Sequence, residues 1–246
     1  MRFSDRPAGY LTSVHSYFTH EDAFAGWSRL HGGLDPRASV WIRGWVRLAQ
    51  ICAGPFVRWG VHPNTVTIIG LAVTATVPAI AAAGAAWPLA ALMLLLAGAV
   101  LDGVDGAVAV RAGLASRWGK VLDPFADRCS DLLLILTLVI LGAPMWLGVA
   151  LGAVTLLLES VRANAQAAGM VGAGVITWWE RPSRVIVASC AAAGSGIEWC
   201  ARRGGVVVLP GVDGDLLATL FAVVAMVLAV VGLGRLLFAV RSQLRD

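Results

Sequence analysis

The stretch "LDGVDGAVAVRAGLASRWGKVLDPFADRCSD", residues 101–131, places five aspartates between apolar runs that are long enough to span a lipid bilayer. A charged side chain at the centre of a membrane costs about 2.5–3.5 kcal/mol on insertion scales. Carboxylates in such a stretch therefore indicate a chemical function, and they require cations that neutralise their charge.

The composition of the whole chain is typical of a membrane protein. Of its 246 residues, 58% are hydrophobic and only 14% are charged, whereas soluble domains carry about 25% charged residues. A helix needs about 20 apolar residues to cross the hydrocarbon core. We expect an all-α integral membrane protein with six transmembrane helices, formed by apolar blocks near residues 65–85, 86–101, 129–142, 144–158, 184–199 and 216–240.

The basic residues predict how these helices are oriented. With six crossings, sixteen of the 19 Lys and Arg residues fall on the side of the two termini. Only Arg202 and Arg203 fall on the opposite side, and Arg128 lies within a helix. Because cytoplasmic loops carry an excess of Lys and Arg, we expect a multi-pass plasma-membrane protein with both termini and residues 101–131 on the cytoplasmic side.

Residues 36–60 mix arginines with aromatic residues such as Trp45 and Phe56 at roughly helical spacing. This pattern predicts an amphipathic juxtamembrane helix on the membrane face, where basic side chains meet anionic headgroups. A solvated helix packed on the bundle is the alternative. Residues 1–35 form an N-terminal extension without assignment, and residues 61–246 form the predicted six-helix membrane domain.

Four of the aspartates have spacings that suit a metal site. Asp102 and Asp105 are three residues apart, and Asp123 and Asp127 are four apart, so each pair shares one face of a helix. Four converging carboxylates repel one another unless a cation joins them. Hard divalent cations prefer oxygen ligands, and four carboxylates can hold two ions in the arrangement used for displacement at phosphorus.

Two other interpretations of the aspartates are open at this stage. They can be structural partners of neighbouring arginines: Asp105 with Arg111, and Asp127 with Arg128 or Arg184. They can also bind the cation of a transporter, although transport sites lie near the membrane midplane, often between paired repeats with broken helices. No repeat is visible here and the carboxylates cluster at one face, so the sequence favours the metal site.

The order of these residues resembles the signature of the CDP-alcohol phosphotransferase family, D-x-x-D-G-x-x-A-R-x8-G-x3-D-x3-D. The matching positions are Asp102, Asp105, Gly106, Ala109, Gly119, Asp123 and Asp127. The stretch "HPNTVT" before the first crossing also fits the family, and the resemblance covers residues 36–240. One position departs, because Val110 stands where the family has Arg, with Arg111 next to it.

The resemblance implies an enzyme that transfers a phosphatidyl group from CDP-diacylglycerol to the hydroxyl of a small polar alcohol and releases CMP. It implies that Asp102, Asp105, Asp123 and Asp127 hold two Mg²⁺ or Mn²⁺ ions, and that Asp127 is also the general base. The implied CDP-binding residues are Asn64, Thr67, Gly106, Ala109, Arg111, Arg117 and Gly119. The implied partners are the lipid bilayer and a second copy of the chain, and no nucleic acid.

Residues 160–186 resemble the corresponding stretch of phosphatidylinositol-phosphate synthases, and they predict the acceptor site. Arg162, Arg181 and Arg184 suit a phosphorylated acceptor, because arginine binds phosphate through two parallel hydrogen bonds. Asn164 replaces the second basic residue of that stretch, so inositol phosphate and glycerol phosphate both stay open. A weakened enzyme that binds CDP-lipid without efficient turnover is a further alternative, motivated by Val110.

Overall fold

The computed structural model describes residues 20–30, 35–170, 175–207 and 210–244, and all regular structure in these ranges is helical. The predicted all-α class is therefore confirmed for the described residues. Of the N-terminal extension, residues 1–19 and 31–34 lie outside them. The helices are α1 (His20–Leu30), a 3₁₀ turn (Pro36–Ala38), α2 (Val40–Arg58), α3 (Pro63–Ala82), α4 (Trp87–Ala112), α5 (Gly119–Ile140), α6 (Met145–Ala167), α7 (Arg181–Arg203) and α8 (Gly214–Gln243).

Glycines end most of these helices by one shared local geometry. Five glycines just beyond helices α2, α4, α5, α6 and α7 have positive φ, the left-handed conformation that costs glycine no steric strain. After each of them, the next residue donates its N–H to the carbonyl five residues earlier, as Leu114 does to Ala109 at 3.0 Å. The glycines are Gly60, Gly113, Gly142, Gly169 and Gly205.

The described residues form two compact units: those within 1–70 and 99–126, and those within 71–98 and 127–246. The unit boundaries fall inside α3, α4 and α5. In the first unit, buried residues of α2, α3 and α4 form one apolar core that includes Val57, Val66 and Val104. Helix α1 adds Phe24, which packs with Val46 of α2. The predicted helix within residues 36–60 is thus present as α2.

The second unit has the larger apolar core, and small residues let its last helix pack closely. Helix α8 contacts both α6 and α7. Most of the residues that it buries are small and recur every three or four positions along the helix, a pattern that lets helix backbones approach closely. They include Ala218, Ala222, Ala225 and Ala229, all fully buried.

Four of the six predicted crossings meet the length and composition expected of a membrane span: α3, α4, α6 and α8. Helices α5 and α7 are 22 and 23 residues long, but each carries five charged residues. In α5 these charges fall within its first thirteen residues, from Lys120 to Asp131, and leave an apolar second half. The six-crossing topology and the interfacial location of α2 therefore stay predictions.

The glycine that ends α5 gives a test of this packing. Besides its φ of +118°, a Cβ added at Gly142 would lie 2.5 Å from the Cα of Asp215. We expect Gly142→Ala to lower the apparent melting temperature of the purified protein by several degrees, because strain of about 1–2 kcal/mol adds to an overpacking cost of about 1–3 kcal/mol. Gly205→Ala is the matched control: its φ is also positive, but its Cβ would meet nothing within 4 Å. Equal losses in the two variants would contradict the close contact.

Candidate functional site

Three of the four predicted metal ligands come together. Asp102 lies on α4 and Asp123 on α5, and Asp127 follows Asp123 by one turn of the same helix. Each offers a carboxylate oxygen, and these oxygens all lie within 4.8 Å of one another. Two ligands on opposite sides of Mg²⁺ or Mn²⁺ are about 4.2 Å apart, given bonds of about 2.1 Å. The donor types therefore fit a hard divalent cation, and oxygens 4.8 Å apart need to approach by only about 0.6 Å to share one ion.

The fourth predicted ligand, Asp105, is not part of this group. Its side chain is buried, and its Oδ2 accepts a hydrogen bond of 2.5 Å from the Thr67 hydroxyl on α3. Its Oδ1 accepts a bond of 2.6 Å from the backbone N–H of Gly106. Thr67, predicted to contact the nucleotide, thus holds Asp105 in place. A metal-binding role for Asp105 stays a prediction.

The glycines of the motif differ in their surroundings. A Cβ added at Gly119 would lie 3.2 Å from the Asn64 Oδ1 and from the Ser116 hydroxyl, so the missing side chain lets Asn64 approach the start of α5. A Cβ at Gly106 would meet nothing within 4 Å, which leaves open space beside Asp105. Asn64 and Gly119 are thus brought together, and the nucleotide-binding role of Gly106 stays a prediction.

The remaining predicted nucleotide contacts are more dispersed. Arg111 donates through Nη1 to the backbone carbonyl of Gln50 on α2, at 3.4 Å, so it ties α4 to α2. Arg117 is exposed in the turn between α4 and α5, and Ala109 is half-buried. The nucleotide-binding roles of these three residues stay predictions.

A dense group of charges lies in the second unit, where α5, α6 and the start of α7 meet. We call it the charged seam. Its centre is Arg184, only 2% exposed, which donates to the Asp131 carboxylate on α5 and to the Glu159 carboxylate on α6, each at 2.6 Å. Arg184 also donates to the backbone carbonyl of Trp179 at 2.9 Å. The complete seam comprises Arg128, Arg162, Arg181, Arg184, Asp127, Asp131, Glu159 and Glu180.

One stripe of α6 holds the segment that precedes α7. Thr155, Glu159 and Arg162 are spaced by four and three residues, so they share a face of the helix. The Thr155 hydroxyl accepts from the indole N–H of buried Trp179 at 2.9 Å, and Arg162 donates to Glu180 at 2.6 Å. Sequence reasoning did not select Thr155 or Trp179, although the helical spacing of a Thr, a Glu and an Arg in an apolar segment was a detectable signal.

Arg181 lies at the edge of the seam. Its Nη1 is 2.6 Å from the Asp127 Oδ1, and the two side chains are 23% and 22% exposed. Arg128 bridges α5 and α6 through Glu159 at 3.0 Å, and its Nη1 is 3.9 Å from the Asp127 carboxylate. Asp131 and Glu159 are thus each paired with two or more arginines of the seam. Asp127 is shared between the aspartate group and the seam.

Comparison with known proteins finds a matching family and similar relatives. The family model for CDP-alcohol phosphatidyltransferase matches residues 60–240. The phosphatidylinositol phosphate synthase of Mycobacteroides abscessus is 32% identical over 165 residues, 62% of this chain and 73% of that protein. The archaetidylinositol phosphate synthase of Aeropyrum pernix is 34% identical over 146 residues, 57% of this chain and 72% of that protein.

Solved structures share the fold. A crystal structure of Mycobacterium tuberculosis phosphatidylinositol phosphate synthase (PgsA1) with CDP-DAG bound superimposes with a TM-score of 0.63 at 22% identity, covering 80% of this chain and 96% of that one. A second structure of the same protein, in complex with manganese and citrate, gives a TM-score of 0.62 at 21% identity, covering 80% and 90%. At these identities the likeness concerns the fold alone.

The seam predicts that two neighbouring arginines contribute differently to stability. We expect Arg184→Gln to lower the apparent melting temperature by about 10 °C, because breaking a buried pair leaves uncompensated charge and costs about 3–5 kcal/mol. Arg181→Gln is the matched control, since its guanidinium is partly exposed and its Nη1 lies 2.6 Å from the partly exposed Asp127 carboxylate. Thermal unfolding of both variants in one detergent checks this. Similar losses would show that Arg184 is not the centre of the seam.

Proposed function

The chain belongs to the CDP-alcohol phosphatidyltransferase family, and we propose that it transfers a phosphatidyl group from CDP-diacylglycerol to the hydroxyl of a phosphorylated polyol, releasing CMP. As a member of that family it is a metal-dependent enzyme of phospholipid synthesis. The observation that carries the proposal is the convergence of Asp102, Asp123 and Asp127 within 4.8 Å, at the motif positions. The names of the M. abscessus and A. pernix relatives support an inositol phosphate acceptor.

Each site residue has a physical role in this reaction. In the proposed site Asp102, Asp123 and Asp127 would hold divalent metal, with Asp105 as a further ligand, and two Mg²⁺ or Mn²⁺ ions are expected. Metal bound there would neutralise charge on the pyrophosphate and on the departing CMP. Asp127 takes the proton of the attacking hydroxyl as general base. The acceptor oxygen then bonds to the phosphatidyl phosphorus as the bond from that phosphorus to the CMP oxygen breaks.

The arginines near the aspartates divide into two roles. Arg181 and Arg162 are the proposed ligands of the acceptor phosphate, because they are 23% and 12% exposed. Arg184 is buried between two carboxylates, so we propose that it positions α7 rather than touching the acceptor. Asn164 is exposed and its amide donates to the Ser160 carbonyl, which keeps glycerol phosphate as the second candidate acceptor.

The outer surface of α2 supports an interfacial location for this helix. One face is buried in the core of the first unit, yet the opposite face exposes Leu48, Ile51 and Trp59, flanked by Arg47 and Arg58. A helix packed on a soluble bundle would present polar residues there. Apolar side chains edged by arginines suit the boundary between acyl chains and headgroups. We therefore propose that α2 lies on the cytoplasmic membrane face.

Exposed tryptophans support six crossings, including α5 and α7. Tryptophan is enriched at both membrane interfaces. Five of the six long helices from α3 to α8 have an exposed tryptophan at or just before their start: Trp59, Trp87, Trp118, Trp146 and Trp178. Helices that start at alternate faces of the bilayer would give this pattern. The plasma membrane, a cytoplasmic active site and a homodimer complete the proposal.

The reaction is tested by CMP release. Purified protein in lipid nanodiscs is incubated with CDP-diacylglycerol, Mg²⁺ or Mn²⁺, and one acceptor at a time: inositol phosphate, glycerol 3-phosphate, inositol, serine or phosphatidylglycerol. We expect CMP release that depends on inositol phosphate or glycerol 3-phosphate and stops with EDTA. Asp127→Asn should reduce release by at least a hundredfold, because general-base catalysis contributes about 10²–10⁴-fold. No release with any acceptor would refute the proposed function.

The topology is tested by labelling single cysteines in intact cells. Cys200 is exposed near the end of α7, on the side proposed to face outward. In a variant that keeps only this cysteine, we expect a membrane-impermeant maleimide to label it. A matched variant with Ser242→Cys as its one cysteine should be labelled only after the cells are permeabilised. The reverse result would invert the proposed orientation.

A further inference from the structure

Asp127 belongs to two groups that compete for its charge. In one, its carboxylate lies with those of Asp102 and Asp123 within 4.8 Å. In the other, its Oδ1 is 2.6 Å from the Arg181 Nη1. Both side chains are partly exposed, so rotation of either one can separate the pair without repacking a buried core.

The seam as it stands is formally neutral. It contains four arginines and four carboxylates, and each predicted acceptor arginine already pairs with an acidic side chain. A phosphate monoester carries nearly two negative charges at neutral pH. Binding it among fully paired arginines would require separating an arginine from its carboxylate. The seam therefore lacks a free cation for the acceptor until one pair is released.

The three pairs differ in how easily they separate. Arg184 is 2% exposed and holds two carboxylates, and Arg162 is 12% exposed and holds Glu180 at 2.6 Å and Glu159 at 3.6 Å. Separating either would leave buried, uncompensated charge, at a cost of several kcal/mol. Arg181 is the most exposed of the three, and its partner Asp127 has an alternative use as a metal ligand.

We propose that Asp127 exchanges Arg181 for a divalent cation, and that Arg181, once released, binds the phosphate of the acceptor. This inference rests on the proposed function and adds an order to it, because the acceptor phosphate binds only after the aspartate group holds metal. Arginine binds phosphate through two charge-assisted hydrogen bonds, which replace the pair that Arg181 loses. The metal and acceptor sites are then coupled, and by linkage each ligand tightens the binding of the other by the same factor.

The test measures equilibrium binding without turnover. The full chain in phosphatidylcholine nanodiscs, with no CDP-diacylglycerol present, is titrated with radiolabelled inositol 1-phosphate and glycerol 3-phosphate, in Mg²⁺ or in EDTA. We expect the favoured acceptor to bind at least tenfold more tightly in Mg²⁺. Mn²⁺ titrations followed by electron paramagnetic resonance should show the reciprocal tightening when that acceptor is present.

Two Asp→Asn substitutions change the charge equally, and together they distinguish the effect of releasing Arg181 from the effect of losing bound metal. Asp127→Asn removes the carboxylate charge 2.6 Å from the Arg181 Nη1, so the variant should bind the acceptor in EDTA as tightly as the unmodified protein does in Mg²⁺. Asp123→Asn, one turn earlier on α5, weakens the metal site but keeps Asp127, and it should stay a weak binder in EDTA. Arg181→Gln should bind weakly in both conditions.

Several results would overturn the inference. They are equal binding by the unmodified protein in Mg²⁺ and EDTA, no binding in either, or no gain in EDTA for Asp127→Asn with an unchanged melting temperature. The CMP-release assay on the same preparation separates this failure from that of the proposed function. Transfer without metal-dependent acceptor binding refutes only the ordered exchange, whereas coupled binding without CMP release from any acceptor refutes only the transferase reaction.

Discussion

The pairing of Arg184 with Asp131 and Glu159 is the interaction on which the second unit depends. A guanidinium with 2% exposure is compatible with an apolar bundle only when its charge and its N–H groups are matched. Asp131 comes from α5, Glu159 from α6 and Arg184 from α7, so one ion cluster fixes three helices at a single level. Apolar contacts are not directional, so these ion pairs restrict the relative positions of the three helices more sharply than the apolar core does.

The cluster also fixes the positions of two residues of the candidate site along their helices. On α5, Asp127 is one turn before Asp131, and on α7, Arg181 is one turn before Arg184. The buried pair therefore aligns α5 and α7 so that Asp127 and Arg181, one turn away, also lie next to each other. The arrangement separates two tasks that both use arginine and carboxylate: the inner pair holds helices together, and the outer pair is accessible to ligands.

The extent to which this site follows from the sequence depends on the range of the interactions. The helical class and the convergence of Asp102, Asp123 and Asp127 follow from apolar blocks and a local motif, and the structure bears them out. The partners of Arg184 and Thr67 lie 53 and 38 positions away in the chain. Such pairings depend on how helices pack, and the 3.6-residue period of a single helix carries no information about them.

The departure from the family motif at Val110 has a structural counterpart. Moving the arginine one position along α4 rotates it by about 100°, and Arg111 donates to the Gln50 carbonyl of α2. The end of α4 is thereby joined to α2 by Arg111 and to α3 by the bond between Thr67 and Asp105. An arginine used in this way secures the helix that carries Asp102, and divalent metal should then carry a larger share of the negative charge of a bound pyrophosphate. Activity in this chain should consequently depend more steeply on metal concentration than in relatives that keep the motif arginine, and comparing the metal titrations of Val110→Arg and the unmodified protein measures that difference.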